Sequence, residues 1–346
     1  IYNFDGRRSI WGGECGRYEL TGSKGRKKEN HFLLREEIWM RHMSGLCEDL
    51  KGEPLMNVDG RPTVGMQRSL YSLNTGVLWA HFFDQLGFRL VLTPPTDSHI
   101  SSLGIEAMTA ETCYPVKVSH GHIRELVGKT RYIFLPSIID MPTPEASERG
   151  LYCPLVQSNQ YMLRKALDLD GDALLNPIIH LKYDLNTLAL ELGEQLSGKV
   201  GRSRSKIKKA LDYALERQHG FIREMYQEGR EIMDTLDPER PMVVVTGRPY
   251  NLYDERLNLR VGQNLAKIGM TALPMDFIDI DHIDLSDFPA MYWGFGAQIL
   301  RIAKTIMERP NYFGLHITNF SCGPDSFIEH FYKHIMGDKP YLILEL

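Results

Sequence analysis

Short apolar runs alternate with amphipathic segments throughout most of this chain, and this alternation constrains the fold more than any other feature. An apolar run at 62–67 is followed by a segment at 71–86 with apolar residues at helical spacing, and then by a second apolar run at 88–92. Gly87 ends the helical segment, since glycine commonly follows the last turn of a helix. The strand–helix–strand order predicts a parallel sheet covered by helices.

The same order continues along the chain and starts again near residue 240. A long amphipathic helix predicted at 203–236 lies between the two series, and 346 residues are enough for two domains. We therefore predict an α/β fold with two flavodoxin-like parallel-sheet domains, at 58–236 and 237–346, and an irregular N-terminal segment at 1–57. The other predicted strands are 132–136, 177–182, 242–245, 271–274, 312–318 and 340–346, and the other helices are 116–127, 159–169, 257–268, 291–308 and 326–336, with a proline-rich loop at 137–150.

Charge and hydropathy exclude several classes of function. The formal net charge is −4, so there is no broad basic field for nucleic acid, and no apolar run reaches membrane-spanning length. The basic run at 24–28 is typical of a solvated loop. We expect a cytoplasmic protein, because no secretory signal is present. The first residue is Ile1 and the last residues are apolar, so we expect a piece of a longer polypeptide or one with disordered ends.

The cysteines indicate reduced thiols. There are five cysteines, they are far apart, and no two are spaced as CxxC. An odd number without a secretory signal argues against a disulfide framework, and the missing CxxC excludes a zinc ribbon or a bacterial ferredoxin motif. Any metal site must therefore be assembled from distant loops. The five are Cys15, Cys47, Cys113, Cys153 and Cys322.

Three of these cysteines share one local context. Cys113, Cys153 and Cys322 each follow a loop or strand end, precede a predicted helix, and have proline one or two residues further on. In open α/β sheets the carboxyl ends of strands and the starts of helices gather at one edge, where ligands bind. The start of a helix also favours a thiolate or an anionic group. A single cysteine is more often a small buried apolar residue, but three in this context indicate convergence on one point.

Three thiolates are chemically suited to an iron–sulfur cluster. A cluster usually has four cysteine ligands, so three would leave one iron open to water, thiol, sulfide or substrate. Zinc remains an alternative on ligand type alone. His120 and His122 follow Cys113, although histidines on a helix are more often packed or solvated. Cys15 lies in a glycine-rich loop at 11–17, which is equally consistent with a tight turn.

Two charged residues lie beside these elements. Arg248 follows the predicted strand at 242–245, where it could bind an anionic group or form a structural salt bridge. No GxGxxG or P-loop pattern surrounds it, so no nucleotide site is predicted. Asp325 is interpreted as a residue of the helix start rather than as an acid or a base.

Six motifs together resemble the 2-hydroxyacyl-CoA dehydratase and benzoyl-CoA reductase superfamily. The similarity extends from about residue 58 to the end, and the branch it resembles most is the one found in large activator-like proteins, to which double-cubane cluster proteins are related. The motifs are Glu-Thr-Cys-Tyr-Pro-Val-Lys at 111–117, Phe-Leu-Pro-Ser at 134–137, Tyr-Cys-Pro at 152–154, Gly-Arg-Pro-Tyr-Asn at 247–251, Met-Tyr-Trp-Gly at 291–294 and Asn-Phe-Ser-Cys-Gly-Pro-Asp-Ser-Phe at 319–327.

The resemblance implies cluster ligands and a partner. It implies that Cys113, Cys153 and Cys322 bind an iron–sulfur cluster, with [4Fe–4S] expected and a double cubane as an alternative that would need Cys15, a second subunit or another chain. It also implies low-potential electrons from a separate ATP-hydrolysing activator with its own cluster, and a homo- or hetero-oligomer. Cys47 matches no motif, and no acyl-CoA pocket residues are recognisable.

Three functions follow as hypotheses. The first is an iron–sulfur oxidoreductase or dehydratase-like lyase that passes electrons to a small substrate, which in the resembled superfamily is an acyl-CoA thioester. The second is a non-catalytic electron-relay or scaffold domain of a larger activator protein. The third is a structural zinc protein. A cavity beside the cluster would favour the first hypothesis over the second.

Overall fold

The computed structural model describes residues 30–346 and the backbone of two short strands near the N-terminus. Those two strands pair antiparallel. In chain order the strands are β1 (Tyr2–Phe4), β2 (Arg7–Ser9), β3 (Cys47–Asp49), β4 (Asn57–Val58), β5 (Arg61–Met66), β6 (Arg89–Leu92), β7 (Tyr132–Phe134), β8 (Ser137–Asp140), β9 (Leu174–Leu175), β10 (Ile178–His180), β11 (Met242–Gly247), β12 (Thr271–Pro274), β13 (Tyr312–Thr318) and β14 (Tyr341–Glu345).

Helices follow most of the strands, as the alternation predicts. Two short 3₁₀ helices, Gly171–Ala173 and Met275–Phe277, accompany them. The α-helices are α1 (His31–His42), α2 (Ser72–Gln85), α3 (Ser98–Ala107), α4 (Tyr114–Leu126), α5 (Pro154–Gln157), α6 (Asn159–Ala166), α7 (Leu185–Val200), α8 (Arg204–Thr235), α9 (Pro249–Leu252), α10 (Val261–Lys267), α11 (Gly294–Glu308) and α12 (Gly323–Met336).

Two larger parallel sheets organise the chain. The first has the order β3-β6-β5-β7-β9, with β4 antiparallel at β5, and the second has the order β12-β11-β13-β14. From β5 in the first sheet and from β11 in the second, the next strand along the chain lies on one side and the strand after that on the other, while β3 is an added edge strand beside β6. This is the flavodoxin-like pattern, and it creates a switch point between β5 and β7 and another between β11 and β13. The predicted α/β class is confirmed, and β8 and β10 add a small parallel pair.

The long helix α8 connects the two sheets through packing. It contacts α2 and α7 beside the first sheet and the 3₁₀ helix Met275–Phe277 beside the second. The predicted apolar positions Ile207 and Leu211 are fully buried, and one hydrophobic cluster includes side chains from both sheets. The helix agrees with the predicted extent within one residue at each end. Its start is fixed by Ser203, whose side chain accepts a hydrogen bond from the backbone N–H of Lys206. The domain boundaries at 57/58 and 236/237 stay predictions.

The prediction of an irregular N-terminal segment at 1–57 is wrong for part of that segment. Residues 31–42 form α1, and residues 47–49 pair with β6 at the edge of the first sheet. The helix has no clean apolar stripe because its buried face includes Arg35 and His31 beside Phe32 and Trp39. An arginine at a core position hides the helical spacing from a reading based on hydropathy.

Three further differences concern element boundaries. The proline-rich segment predicted as a loop begins with strand β8, which pairs with β10 and forms one further bridge from Asp140 to Leu151. The helix predicted at 257–268 starts at Val261, because Leu259 and Arg260 have left-handed φ values of 52° and 54°. The helix predicted at 326–336 starts at Gly323, with Pro324 in its first turn. Among the residues that the structure describes, no helix is long and apolar enough to span a membrane.

Candidate functional site

Three cysteines line one cavity of about 110 Å³. Cys113, Cys153 and Cys322 come from three distant parts of the chain, and the cavity is several times larger than the space that one water molecule needs. The sequence predicts that these three side chains converge, and the structure places them around the same space. The other lining residues are Pro154, Leu155, Tyr250, Asn251, Asn319, Ser321, Gly323 and Pro324.

Each cysteine is the residue immediately before a helix. Cys113 precedes α4, Cys153 precedes α5 and Cys322 precedes α12, with proline in the first turn of each helix. Among residues 30–346, none of the three side chains caps its helix by a hydrogen bond that meets strict geometry, and none is in a disulfide. All three thiols therefore lie at helix starts on one cavity without a disulfide partner in the described part of the chain.

The second sheet supplies its side of the cavity at its switch point. Arg248 follows the end of β11, and Asn319 follows the end of β13, which are neighbouring parallel strands. This edge is where open α/β sheets bind ligands. Sequence reasoning missed Tyr250, Asn251 and Asn319 as lining residues. Their positions one to six residues after predicted strand ends are the signal that would have found them.

Burial raises the pKa of two of the thiols. The pKa of Cys113 rises to about 11 and that of Cys322 to about 12, in each case mainly because burial disfavours the thiolate. For the free thiols, burial outweighs the groups that lower the pKa, and the expectation that helix starts favour a thiolate or an anionic group stays a prediction. At neutral pH both groups carry their protons, and a metal that binds them must release those protons.

A buried ion pair supports this end of the second sheet. The guanidinium of Arg248 is within 2.8 Å of Asp325 Oδ1 through Nη2, and its Nε donates to the same oxygen at 2.9 Å. Thr318 donates to Asp325 Oδ2 at 2.7 Å, and Arg248 Nη1 donates to the Tyr250 hydroxyl at 3.0 Å. Asp325 is thus a helix-start residue, as predicted, and also the partner of Arg248. The sequence predicts that Arg248 either binds an anionic group or forms a structural salt bridge, and in the structure it forms the salt bridge.

This pair also sets the charge near the thiols. Burial is the largest single effect on the pKa of Asp325 and raises it, but the Arg248 guanidinium, His316 and the hydrogen bonds from Thr318 and Arg248 together hold that pKa below its usual range. The positive charge of Arg248 likewise opposes the rise in the pKa of Cys113 and of Cys322. A buried cation therefore lies within electrostatic reach of the cavity.

The other candidate residues lie away from the cavity. His120 contacts the backbone oxygen of Val116 at 2.8 Å, and His122 bonds to the hydroxyls of Thr93 and Thr96 at 2.7 and 2.9 Å. Burial lowers the pKa of His122 to about 3, so this side chain is a neutral, packed histidine. Neither histidine lines the cavity, which agrees with the packed interpretation.

The remaining cysteines do not join the group. The thiol of Cys47 lies 3.6 Å from the backbone oxygen of Met43, and Cys47 does not line the cavity. Cys15 lies outside the described residues. Within 30–346, no group of three or more His, Cys, Asp or Glu side chains is arranged to hold one metal ion. This geometry does not support a zinc site, whereas a cluster distributes its thiolate ligands over several iron atoms.

The fold and the site define a class of protein: an α/β protein with two flavodoxin-like parallel sheets and a cavity lined by three cysteines. Residues 63–278 match a family model described as the CoA enzyme activase uncharacterised domain. The match covers more than half of the chain, so the chain belongs to this family. It is therefore an activase-related protein, in agreement with the activator-like branch that the motifs resemble.

Comparisons with other proteins add no functional information. No curated protein sequence matches the chain. The solved structures that match include a manganese-bound mutant and a metal-free mutant of a periplasmic metal binding protein from Candidatus Liberibacter asiaticus, at 10% and 11% identity. Each alignment covers 82% of this chain and 89% of that chain with a TM-score of 0.26. A likeness at this score carries no argument.

Proposed function

We propose that the cysteine cavity binds an iron–sulfur cluster, with Cys113, Cys153 and Cys322 as its protein ligands. The observation that supports this most is that three thiols from three separate helix starts line one cavity of about 110 Å³. The donor set fits, since thiolates are the usual ligands of such clusters and three of them leave one iron open. A [4Fe–4S] cluster fits three ligands, and a double cubane would require further cysteines.

The surrounding residues are suited to hold an anionic group. The buried guanidinium of Arg248 lowers the pKa of Cys113 and Cys322 although it is paired with Asp325, and α4 and α12 both begin at the cavity, so their starts would add to the stabilisation of negative charge there. Tyr250 lines the cavity and accepts a hydrogen bond from Arg248, so the loop after β11 is fixed in place. A bound cluster would accept and pass on single electrons.

We further propose that the chain is an iron–sulfur reductase or dehydratase-type subunit in the cytoplasm. Membership of an activase-related family supports an enzyme or activator as partner. The finer assignment, an ATP-hydrolysing activator with its own cluster and an acyl-CoA thioester as substrate, comes from the superfamily that the motifs resemble.

The alternative function is an electron-relay or scaffold domain without a substrate. One observation bears on this choice: a second cavity is lined by Gly247 at the end of β11 and by Pro249 of α9, and α9 also supplies Tyr250 and Asn251 of the cysteine cavity. A reductase needs space for a small molecule near its cluster and a relay does not, so two cavities lined by one segment favour the reductase.

Anaerobic reconstitution tests the cluster. The protein is reconstituted with iron and sulfide, and iron, acid-labile sulfide and zinc are measured together with the EPR spectrum of the reduced sample. We expect iron and sulfide in similar amounts and a cluster EPR signal. Reconstituted protein without iron contradicts the proposal, and stoichiometric zinc instead supports the structural zinc alternative.

Matched variants locate the cluster. Cys322→Ala and Cys153→Ala are expected to lose most of the iron, because each removes one of three thiols around the cavity. Cys47→Ala is the control, since Cys47 is also a free, partly buried cysteine but lies outside the cavity. Full iron retention in Cys322→Ala, or equal loss in Cys47→Ala, places the cluster elsewhere.

A further inference from the structure

The second cavity lies between α1, α8 and the second sheet and has a volume of about 100 Å³. Its walls are mixed: apolar side chains that include Phe221, Met225, Met275 and Phe295 line one part, and polar side chains that include Asn74, Gln218 and Gln298 line the rest. It reaches solvent beside Asp276, whose side chain is 31% exposed. A small molecule can therefore enter, and its apolar part would contact apolar side chains.

Arg35 is buried in the wall of this cavity. Only 1% of the residue is exposed, and its guanidinium stacks on the ring of Tyr253 at 3.9 Å. Its Nε donates to Asp276 Oδ2 at 3.2 Å, and its Nη2 donates to the backbone oxygen of Leu73. Its Nη1 has no hydrogen-bond partner among residues 30–346. A buried guanidinium nitrogen without a partner is costly, so a group that accepts its hydrogen bond is expected.

Two more polar atoms of the same cavity have no partner in the part of the chain that the structure describes. They are Asp276 Oδ1, an acceptor, and the hydroxyl of Tyr253. Burial raises the pKa of Tyr253, and the Asp276 carboxylate raises it further through its charge and a side-chain hydrogen-bond contact, so these two groups face each other at the edge of strict hydrogen-bond geometry. The cavity thus presents an unused donor at Arg35, and beside it a carboxylate that can accept a further hydrogen bond.

The charges restrict the ligand that fits. Arg35 and Asp276 form an ion pair and cancel one another. An ionised ligand would bring an uncompensated charge into this buried site, which is unfavourable. A primary amide offers a carbonyl oxygen to Arg35 and an N–H to Asp276 without any net charge.

We propose that this cavity binds a small neutral molecule with a short apolar chain and an amide head group. Arg35 donates to the ligand's carbonyl oxygen, Asp276 accepts from its N–H, and the apolar chain packs on Met225 and Met275. The site needs no cluster, so the inference does not rest on the proposed function.

Methionine-methyl NMR with butyramide tests this binding. The protein is labelled with ¹³C-methyl methionine, and Met225→Leu and Met275→Leu identify the two resonances. We expect butyramide to shift both methyls in a saturable way. Butyrate has the same length but is ionised. Its Kd is expected to be at least about tenfold higher, because it loses one hydrogen bond to a charged group. Absence of any shift means that water alone fills the cavity and overturns the proposal.

Variants check that the shifts report this site. Ile280→Phe fills the cavity and is expected to abolish butyramide binding, whereas Ile283→Phe makes the same change outside it. Arg35→Lys keeps the charge but removes the planar donor pair and is expected to weaken binding about tenfold. If butyramide binding is unchanged in Ile280→Phe, or equal for butyramide and butyrate, the assignment of site or ligand class is wrong.

Failure of this proposal and failure of the cluster are distinguishable. Cys153→Ala is expected to lose iron and still bind butyramide with unchanged affinity. Conversely, Ile280→Phe is expected to retain iron while it loses the amide. Each variant therefore has a readout that the other proposal does not affect.

Discussion

At the scale of single residues, the site depends on charges and protons that are shielded from water. Arg248 and Asp325 are 2% and 0% exposed and are joined by short contacts. A buried pair of this kind adds little net stability, but the loss of one partner leaves an uncompensated buried charge. The pair is therefore a sensitive point at the proposed cluster site.

Replacing Asp325 tests this charge balance. Asp325→Asn is expected to lower the free energy of unfolding by about 3–5 kcal/mol, because Arg248 stays buried without a counter-charge. Urea unfolding at neutral pH measures the loss. The matched control is Asp287→Asn, whose exposed contact with Lys304 is expected to contribute about 1 kcal/mol or less. Equal losses in the two variants would mean that the buried pair contributes no more to the free energy of unfolding than an exposed pair does.

The buried histidine His122 predicts a pH dependence. Burial lowers its folded-state pKa to about 3, while an unfolded histidine titrates near 6.5. Its contribution to stability is complete above the unfolded pKa and is lost as the pH falls, because only the unfolded state takes up the proton. Between about pH 6 and pH 4 this costs about 1.4 kcal/mol per pH unit.

Comparing two histidine variants isolates that contribution. In His122→Gln the slope of the unfolding free energy against pH is expected to fall by about 1.4 kcal/mol per pH unit, which corresponds to the uptake of one proton. In His99→Gln, whose side chain is 66% exposed, the slope is expected to stay the same. Urea titrations between pH 4 and pH 7 give the slopes. An unchanged slope in His122→Gln would show that this histidine is protonated in the folded state.

At the scale of elements, the position of Cys113 depends on how closely α3 and α4 pack. A Cβ at Gly121 would lie 1.9 Å from the backbone oxygen of Ile100, and one at Gly104 would lie 2.1 Å from that of Lys117. The two helices therefore contact each other through their backbones. Because α4 begins at the site, any separation of the helices also moves the thiol that precedes it.

Gly121→Ala is expected to separate these helices. The variant should lose about 1–3 kcal/mol of stability, and reconstituted protein should bind less iron. Gly198→Ala is the control, because Gly198 is also inside a helix but has open space around its Cβ position. There, alanine is expected to stabilise by about 0.5–1 kcal/mol. Thermal unfolding and iron analysis of both variants decide the question, and a tolerated Gly121→Ala would contradict the close packing.

At the scale of the whole molecule, the cysteine cavity joins segments that are far apart in sequence. Cys113 and Cys153 belong to the part built on the first sheet and β8, and Cys322 to the second sheet. A ligand held by all three binds only the assembled fold. Its binding free energy therefore adds to the stability of the whole chain.

Removal of the cluster is expected to weaken the folded state. Anaerobic urea unfolding should give a free energy about 3 kcal/mol or more higher for reconstituted than for iron-free protein, the gain expected at a hundredfold excess over the Kd. The difference should disappear in Cys322→Ala and persist in Cys47→Ala. Identical unfolding curves with and without iron would mean that the three thiols do not hold the metal together.

The sequence by itself determined the α/β class, the main alternation of strands and helices, and the three cysteine positions at helix starts. These are local properties: apolar spacing separates strands from helices, Gly87 and Ser203 mark helix ends, and proline after each cysteine indicates a first turn. It failed where a polar residue occupies a core position, as Arg35 does in α1. Hydropathy alone cannot distinguish a buried paired arginine from an exposed one.

Only the tertiary structure decided which distant groups meet and how deeply they are buried. It placed Cys113, Cys153 and Cys322 around one cavity, paired Arg248 with Asp325, and left Arg35 Nη1, in the wall of a second cavity, without a partner among residues 30–346. It also showed that burial raises the pKa of the free thiols of Cys113 and Cys322. Desolvation depends on every atom packed around a group, and that environment is formed by chain segments that are distant in sequence.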